Sequence, residues 1–167
     1  MTQVSVININ SPFLDQKPGT SGLRKSTLKF QEDHYLEVFI EAILQSLEDL
    51  KGSTLVVGGD GRYGNIEAIE KIVQICIAHK VQKVIVPKYG LLSTPATSHL
   101  IRKEKAIGGI ILSASHNPGG IDGDFGVKLN ISNGGPAPEI ITNKIFKASQ
   151  LLTSYKICKI QLPDLSE

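Results

Sequence analysis

A serine in a glycine-rich segment is the strongest candidate for chemistry in this sequence. Ser115 lies in residues 113–120, Ser-Ala-Ser-His-Asn-Pro-Gly-Gly, directly after an apolar run that ends at Leu112. Glycines allow positive φ angles and close backbone approach, so amide N–H groups of such a loop can point at an anion. A serine hydroxyl is a weak nucleophile unless a base or a cation assists it, and His116 and Lys128 are nearby candidates. The pattern fits either nucleophilic chemistry at an anion site or a plain turn made of turn-forming residues.

The segments around this loop have the periodicity of an α/β domain. Three apolar, β-branched runs predict buried strands at 54–57, 83–86 and 106–112. Apolar residues at helical spacing predict helices at 33–50, 65–79, 94–105 and 139–152. Strands that alternate with helices are typical of parallel βαβ units with right-handed crossovers. Residues 125–130 follow the third strand too closely for a crossover helix, so we expect an antiparallel strand there.

These elements predict the fold class and the extent of the domain. We expect a three-layer α/β/α sandwich with a mixed, mainly parallel sheet. A short strand at 4–7 and a polar, glycine-containing loop at 15–24 precede the first predicted helix. Residues 1–153 are predicted to form one domain, and residues 154–167, which show no clear period, a tail or linker towards a second domain.

The composition excludes several classes of protein. The chain has 167 residues, enough for one domain with its own core, and a formal net charge of +2. Lysine and arginine are spread among the acidic residues, so nucleic-acid binding has no support. No segment resembles a membrane span or a leader peptide, and Cys76 and Cys158 are interpreted as reduced thiols. We therefore expect a cytoplasmic protein without a membrane partner.

Several segments resemble one enzyme family. Residues 113–120 resemble the phosphoserine signature of the α-D-phosphohexomutases. Further segments resemble the phosphoglucomutase branch of that family, in the same order along nearly the whole chain, at 15–25, 57–62, 92–96 and 130–139. The resemblance implies that glucose 1-phosphate and glucose 6-phosphate are interconverted through a phosphoserine and a glucose 1,6-bisphosphate intermediate. Ser115 would carry the phosphoryl group, and one of its phosphoryl oxygens would be a ligand of the Mg²⁺ that the family requires.

The resemblance also implies roles for other residues. Lys128 matches the lysine proposed to help proton transfer at the sugar hydroxyl, and His116 would orient or protonate the same centre. Arg24 matches an arginine that contacts phosphate, which a guanidinium can grip with two parallel hydrogen bonds. Thr20 and Ser21, in the same loop as Arg24, are possible hydrogen-bond donors to the substrate phosphate.

A second glycine motif points to another class of site. Residues 59–64, Gly-Asp-Gly-Arg-Tyr-Gly, satisfy the G-x-G-x-x-G fingerprint of dinucleotide-binding folds. The end of the next predicted strand, at 86–89, offers no acidic residue to hold a ribose, so cofactor binding is not favoured. Asp60 and Arg62 are instead interpreted as capping the following helix and bracing the loop.

Three motifs of the family are missing from the sequence. They are the metal-binding Asp-Gly-Asp-Gly-Asp-Arg loop, the sugar-reading Glu-x-Ser loop and the C-terminal phosphate-binding domain. We therefore expect the first domain of a longer enzyme, whose partners are a phosphosugar and the missing C-terminal domains, and which is inactive alone. The alternative is a mutase-like structural or interaction protein without catalysis. The joint presence of Ser115, Lys128 and Arg24 argues against it.

Overall fold

The computed structural model describes residues 3–167 and contains two sheets with helices packed around them. A two-stranded sheet pairs β1 (Ser5–Asn8) with β7 (Ser154–Ile157). The five-stranded sheet consists of β2 (Leu23–Ser26), β3 (Thr54–Gly59), β4 (Lys83–Ile85), β5 (Gly108–Leu112) and β6 (Asp124–Ile131). The helices are α1 (Thr27–Phe30), α2 (Tyr35–Ser46), α3 (Asn65–Ala78), α4 (Thr94–Lys103) and α5 (Glu139–Leu151). No helix within these residues is long and apolar enough to cross a bilayer.

The five-stranded sheet is mixed, as the sequence predicts. Its strand order is β2-β6-β5-β3-β4, in which β3 pairs in parallel with both β4 and β5. β6 runs antiparallel to β5, which confirms the expectation for a strand that follows too closely for a crossover helix. β5 therefore lies in the middle of the sheet, and the segment after it leaves from the carboxyl end of a central strand.

Helices cover both faces of β5, which is why all five of its residues are buried. Ile110 and Leu112 belong to the main core, which also contains the apolar faces of α2 and α3. Gly109 points the opposite way, and a Cβ added there would lie 2.9 Å from Ile101 of α4. The three-layer α/β/α arrangement is confirmed.

The helix α2 is buried on nearly all sides, including two acidic residues. Its first ten residues are all buried, among them Glu37 and Glu41. Burying a carboxylate is costly unless a partner compensates for the lost water. Lys71 on α3 lies 3.3 Å from Glu37, and the ring of His79 contacts the carboxylate of Glu41. These pairs therefore join α2 to α3 and to His79, the residue that ends α3.

Four short elements differ from the sequence-based expectation: β2, α1, β7 and a single 3₁₀ turn at Lys88–Gly90. β2 and α1 occupy residues 23–30, most of which lie outside any predicted element. β7 forms the start of the segment predicted to be a tail, and its Tyr155 and Ile157 are buried. β2 and β7 have only four residues each, and their partners β6 and β1 are far away in sequence, so local periodicity gives no signal for them. The domain boundary after residue 153 stays a prediction.

Truncation of Ile110 tests whether the central strand organises the core. Ile110 is fully buried in β5, so Ile110→Ala should lower the free energy of unfolding by about 2–5 kcal/mol, the usual cost of truncating a buried aliphatic side chain. Ile140→Ala is the matched control, because Ile140 is 69% exposed, and its effect should be within about 0.5 kcal/mol. Urea unfolding measures both, and equal losses for the two variants would contradict this description of the core.

Candidate active site around Ser115

Ser115 lies on the loop that leaves the carboxyl end of β5. Its side chain is exposed to solvent, whereas the preceding Ala114 is fully buried. The backbone at Ser115 has a φ of 58°, in the left-handed region that residues with a Cβ rarely adopt. Such a conformation persists only where the surroundings fix it. The contacts around Ser115 must therefore stabilise this shape of the loop.

Ser113 supplies one of these contacts. Its hydroxyl donates to a carboxylate oxygen of Asp60 at 2.9 Å and accepts a hydrogen bond from the backbone N–H of Ser115 at 3.0 Å. Ser113 also ties the loop to the sheet, because its own N–H donates to the carbonyl of Gly126 on β6. One hydroxyl group thus connects the Ser115 backbone to the loop that follows β3.

Arg62 supplies the larger set of contacts, and only 7% of its side chain is exposed. On one side it holds the Asp60 carboxylate with two hydrogen bonds, from Nε at 3.0 Å and from Nη2 at 2.8 Å. On the other side Nη1 donates to the carbonyl of Asp124 at 2.8 Å, and Nη2 donates to the carbonyl of Ser115 at 3.1 Å. The planar guanidinium therefore connects the start and the end of the Ser115 loop to the end of β3.

The charge state of Asp60 suits this arrangement. Partial burial by itself would raise the pKa of its carboxyl, but the hydrogen bonds from Arg62 and Ser113 and the charge of Arg62 outweigh that effect and lower the pKa. Asp60 is therefore ionised at neutral pH. The ionised carboxylate of Asp60 stabilises the folded chain fully at pH values above the ordinary pKa of an aspartate. This stabilisation is lost as the pH falls through the lowered pKa.

The far end of the loop is closed by Asn117 and Asp124. The amide of Asn117 donates to the Asp124 carboxylate at 3.1 Å, and the N–H of Asp124 donates to the carbonyl of Pro118 at 2.7 Å. Gly126 allows the next strand to approach, because a Cβ at this position would collide with the carbonyl oxygen of Ser113. Residues 113–124 consequently form a closed, internally bonded loop.

Arg24 and Lys128 lie on the same face of the sheet, next to the strand that leads into this loop. Arg24 on β2 is opposite Gly126 on β6, and Lys128 is two residues further along β6, so their side chains share a face. Lys128 is opposite Ile111 of β5, which lies on the same face as Gly109 and therefore on the α4 side. Both basic side chains are half-buried, and neither forms an ion pair within residues 3–167.

The loop that carries Thr20 and Ser21 lies against Lys128. Thr20 and Ser21 are both exposed, at the tip of a tight turn in which Gly19 and Gly22 bond each other's backbones. Gly22 has a φ of 86°, and a Cβ there would lie 2.9 Å from Cβ of Lys128. The absence of a side chain at Gly22 therefore lets this turn approach β6 at the position of the lysine.

The structure thus brings together most of the site residues predicted from the sequence. Arg24, Lys128 and the turn of Thr20 and Ser21 surround the β2–β6 side of the site, and Ser115 stands at the carboxyl end of the neighbouring β5. His116 is exposed beside Ser115 and forms no hydrogen bond within the described residues. The structure therefore does not favour either predicted role of His116, which are to orient the reacting centre or to protonate it.

The interpretation of Asp60 and Arg62 was right in one part and wrong in another. They do brace the loop, as described above. They do not cap α3, whose N-cap is Gly64 without a side-chain hydrogen bond. What the sequence reasoning missed is the specific connection from Arg62 to Ser115, 53 residues away. One feature of the sequence does indicate this contact. Arg62 and Ser115 each follow the carboxyl end of a predicted parallel strand, and such ends meet at one edge of a sheet.

Residues 3–167 do not supply a complete set of side-chain ligands for a metal ion. Within residues 3–167, no three His, Cys, Asp or Glu side chains lie close enough together to hold a metal ion. Divalent magnesium prefers several oxygen ligands, usually one or two carboxylates with phosphate oxygens and water. The donor set at Ser115 therefore does not by itself fit the Mg²⁺ that the family resemblance implies.

Comparisons with known proteins identify the family to which this fold belongs. The family model described as phosphoglucomutase/phosphomannomutase, alpha/beta/alpha domain I, matches residues 15–156. The chain is 57% identical over 156 residues to the phosphoglucomutase of Aspergillus fumigatus and 53% identical over 166 residues to phosphoglucomutase-1 of Bos taurus. The matches cover 93% and 97% of this chain but only 28% and 29% of those proteins.

A solved structure shows the same architecture. The open form of pp63/parafusin, an exocytosis-sensitive phosphoprotein and phosphoglucomutase from Paramecium, superposes with a TM-score of 0.94 at 42% sequence identity. The match covers 98% of this chain and 31% of that protein. The chain belongs to the phosphoglucomutase/phosphomannomutase family, and it has the fold of that family's alpha/beta/alpha domain I.

Proposed function

We propose that this chain supplies the phosphoryl carrier of an enzyme that interconverts glucose 1-phosphate and glucose 6-phosphate. The observation that carries the proposal is the position of Ser115, exposed and fixed in a left-handed conformation at the carboxyl end of the central strand. Open α/β sheets bind their ligands at this edge. The relatives named phosphoglucomutase support the choice of reaction, although the chain spans less than a third of their length.

The proposed reaction moves a phosphoryl group in two steps. Phosphoserine 115 transfers its phosphoryl group to the free hydroxyl of a glucose monophosphate, and that hydroxyl loses its proton as the new P–O bond forms. The products are glucose 1,6-bisphosphate and the free serine. After the bisphosphate reorients, its other phosphoryl group returns to the Ser115 oxygen, which releases the isomeric monophosphate and restores the enzyme. Positioning and charge stabilisation supply most of the catalysis in such transfers.

Arg24 is the residue best placed to bind phosphate. Its Nε is buried and has no hydrogen-bond partner within the described chain. An unpaired buried donor is costly, so an acceptor that completes its hydrogen bonds is favoured. A phosphate oxygen is such an acceptor, and Thr20 and Ser21 at the neighbouring exposed turn can donate further hydrogen bonds.

Lys128 and His116 are the candidates for proton transfer. Lys128 is half-buried on β6, on the sheet face that also carries Arg24. In this position a lysine can stabilise the phosphoryl oxygens and assist the loss of the proton from the sugar hydroxyl. His116 is exposed next to Ser115 and can orient the sugar or exchange a proton with the same hydroxyl.

The proposal requires groups from outside this chain. Mg²⁺ would neutralise charge on the transferring phosphoryl group, with a phosphoryl oxygen on Ser115 as one of its ligands. The remaining metal ligands, and the contacts that select the sugar, would come from later domains of the same protein. Cytoplasmic location stays a prediction.

The isolated chain should therefore have negligible mutase activity. It lacks a metal cage within its described residues. A coupled assay with glucose 1-phosphate, Mg²⁺ and glucose 1,6-bisphosphate measures this, and turnover at about 1 s⁻¹ or faster, an ordinary enzyme rate, would contradict the expectation. A chimera in which this chain replaces domain I of the Aspergillus fumigatus phosphoglucomutase, 57% identical to it, should be active in the same assay.

Substitution of Ser115 in that chimera tests the phosphoryl carrier. Ser115→Ala should reduce turnover by more than about a thousandfold, as loss of a nucleophile does, and should remove an adduct of about 80 Da that one phosphoryl group adds. Ser132→Ala is the matched control, because Ser132 is an exposed serine of another loop. An adduct that persists in Ser115→Ala, or that maps to a different residue, would refute the assignment.

Substitution of Arg62 tests how the loop is held in the isolated chain. Arg62→Ala removes the hydrogen bonds to Asp60, Ser115 and Asp124, so the backbone amides of residues 115–124 should exchange with solvent about 10–100 times faster. Arg102→Ala serves as the control, because Arg102 is exposed and, within residues 3–167, its guanidinium donates to a single acceptor, the carbonyl of Asn133. Hydrogen–deuterium exchange followed by NMR makes the comparison, and unchanged exchange in Arg62→Ala would show that the loop does not depend on the guanidinium.

A further inference from the structure

We propose that a cavity behind the Ser115 loop binds a small aromatic amine. The cavity has a volume of about 320 Å³ and lies between α1, the beginning of α3 and the beginning of β6. This volume is within the range of small-molecule sites, about 300–1,000 Å³. It is separate from the surface on which Ser115, Arg24 and Lys128 lie, and phosphoryl transfer does not use it.

The inner wall of the cavity is apolar and aromatic. It is formed by Phe30, Leu36, Ala68 and Phe125, all of which are at most 5% exposed. The rings of Phe30 and Phe125 lie 5.2 Å apart at an angle of 58°. Aromatic rings pair favourably in tilted or offset contacts, so an aromatic ligand is chemically suited to a wall that carries two rings. Tyr63, which is 52% exposed, stands at the opening and can cover a bound ring.

The charges at the opening favour a cation. Lys71 lines the cavity, but its ammonium group is 3.3 Å from Glu37 and is thereby compensated. Glu67 also lines the cavity, and it has no ion-pair partner within residues 3–167. Of the two charged residues that line the opening, Glu67 is therefore the one that no ion pair neutralises, and it lies in the first turn of α3. An amine on the ligand would pair with Glu67 while the aromatic ring of the ligand is buried against the phenylalanines.

The walls of the cavity are direct neighbours of the residues that hold the Ser115 loop. Tyr63 follows Arg62, and Phe125 follows Asp124, in the chain. Arg62 and Asp124 are joined by the hydrogen bond from the guanidinium to the carbonyl at 2.8 Å. A ligand that contacts both Tyr63 and Phe125 would therefore change the environment of the loop, and its binding would be visible at the amide of Ser115.

Tryptamine is a suitable probe, and ¹H–¹⁵N NMR of the complete chain is the measurement. Saturable shifts should appear for residues around the cavity and for the amide of Ser115, with a dissociation constant of about 1 mM for a ligand of this size. Glu67→Gln should weaken tryptamine binding about threefold, the effect of losing an exposed ion pair. Glu70→Gln is the matched control, because Glu70 is exposed on the same helix and does not line this cavity.

Two further comparisons make the test specific. Ala68→Leu fills part of the inner wall and should weaken binding by more than about tenfold, the effect of steric overlap in a packed site. Indole-3-acetate has the same ring with a negative charge and should bind more weakly than tryptamine. If Ala68→Leu does not fold, the two glutamate variants still decide the question.

The proposal fails if tryptamine causes no saturable shifts. It also fails if indole-3-acetate binds as tightly, or if Glu67→Gln and Glu70→Gln have the same effect. Binding that leaves the Ser115 amide unshifted would refute the connection to the loop. None of these measurements depends on phosphoryl transfer. Failure of the cavity proposal can therefore be distinguished from failure of the proposed mutase function.

Discussion

The geometry of the site depends on the ion pair and the hydrogen bonds that the guanidinium of Arg62 forms. It is almost completely buried, and it joins the carboxylate of Asp60 to the carbonyl oxygens of Ser115 and Asp124. Charge-assisted hydrogen bonds are stronger than neutral ones, and their strength increases where water is excluded. A lysine could not replace this arrangement, since an ammonium group lacks the planar set of donors. The unfavourable left-handed backbone of Ser115 is therefore stabilised by the Asp60–Arg62 ion pair on the loop that follows β3.

The two arginines near the site have separate tasks. Arg62 is committed to protein acceptors at both ends of its guanidinium, whereas Arg24 leaves a buried Nε without a partner. Under the proposed function, in which Arg24 binds phosphate, this difference would let the loop keep its shape while phosphate enters and leaves, because Arg62, and not Arg24, holds the loop. The sheet separates the two arginines, since Arg62 lies on the loop after β3 and Arg24 lies on β2, with β5 and β6 between these strands.

The sequence predicts the architecture better than it predicts the contacts of the site. The runs at 54–57 and 106–112 are long and apolar enough to identify β3 and β5, and the short spacing to 125–130 identifies the antiparallel β6. β2 and β7 are too short to show a hydrophobic periodicity. They form because each pairs with a strand that is distant in sequence. Ser115 is predicted from the motif at residues 113–120, which consists of consecutive residues. The role of Arg62 depends instead on which strands are neighbours, and no local pattern contains that information.

Titration with inorganic phosphate, followed through the Nε–Hε signals of the arginines by NMR, shows whether Arg24 binds phosphate while Arg62 holds the loop. We expect the signal of Arg24 to shift in a saturable way, together with the amides of Thr20 and Ser21, while the signal of Arg62 stays in place. The unpaired Nε of Arg24 and the fully bonded guanidinium of Arg62 are the reason for this difference. A shift of Arg62 with no response from Arg24 would contradict the account, because it would mean that the phosphate binds the residue assigned to holding the loop.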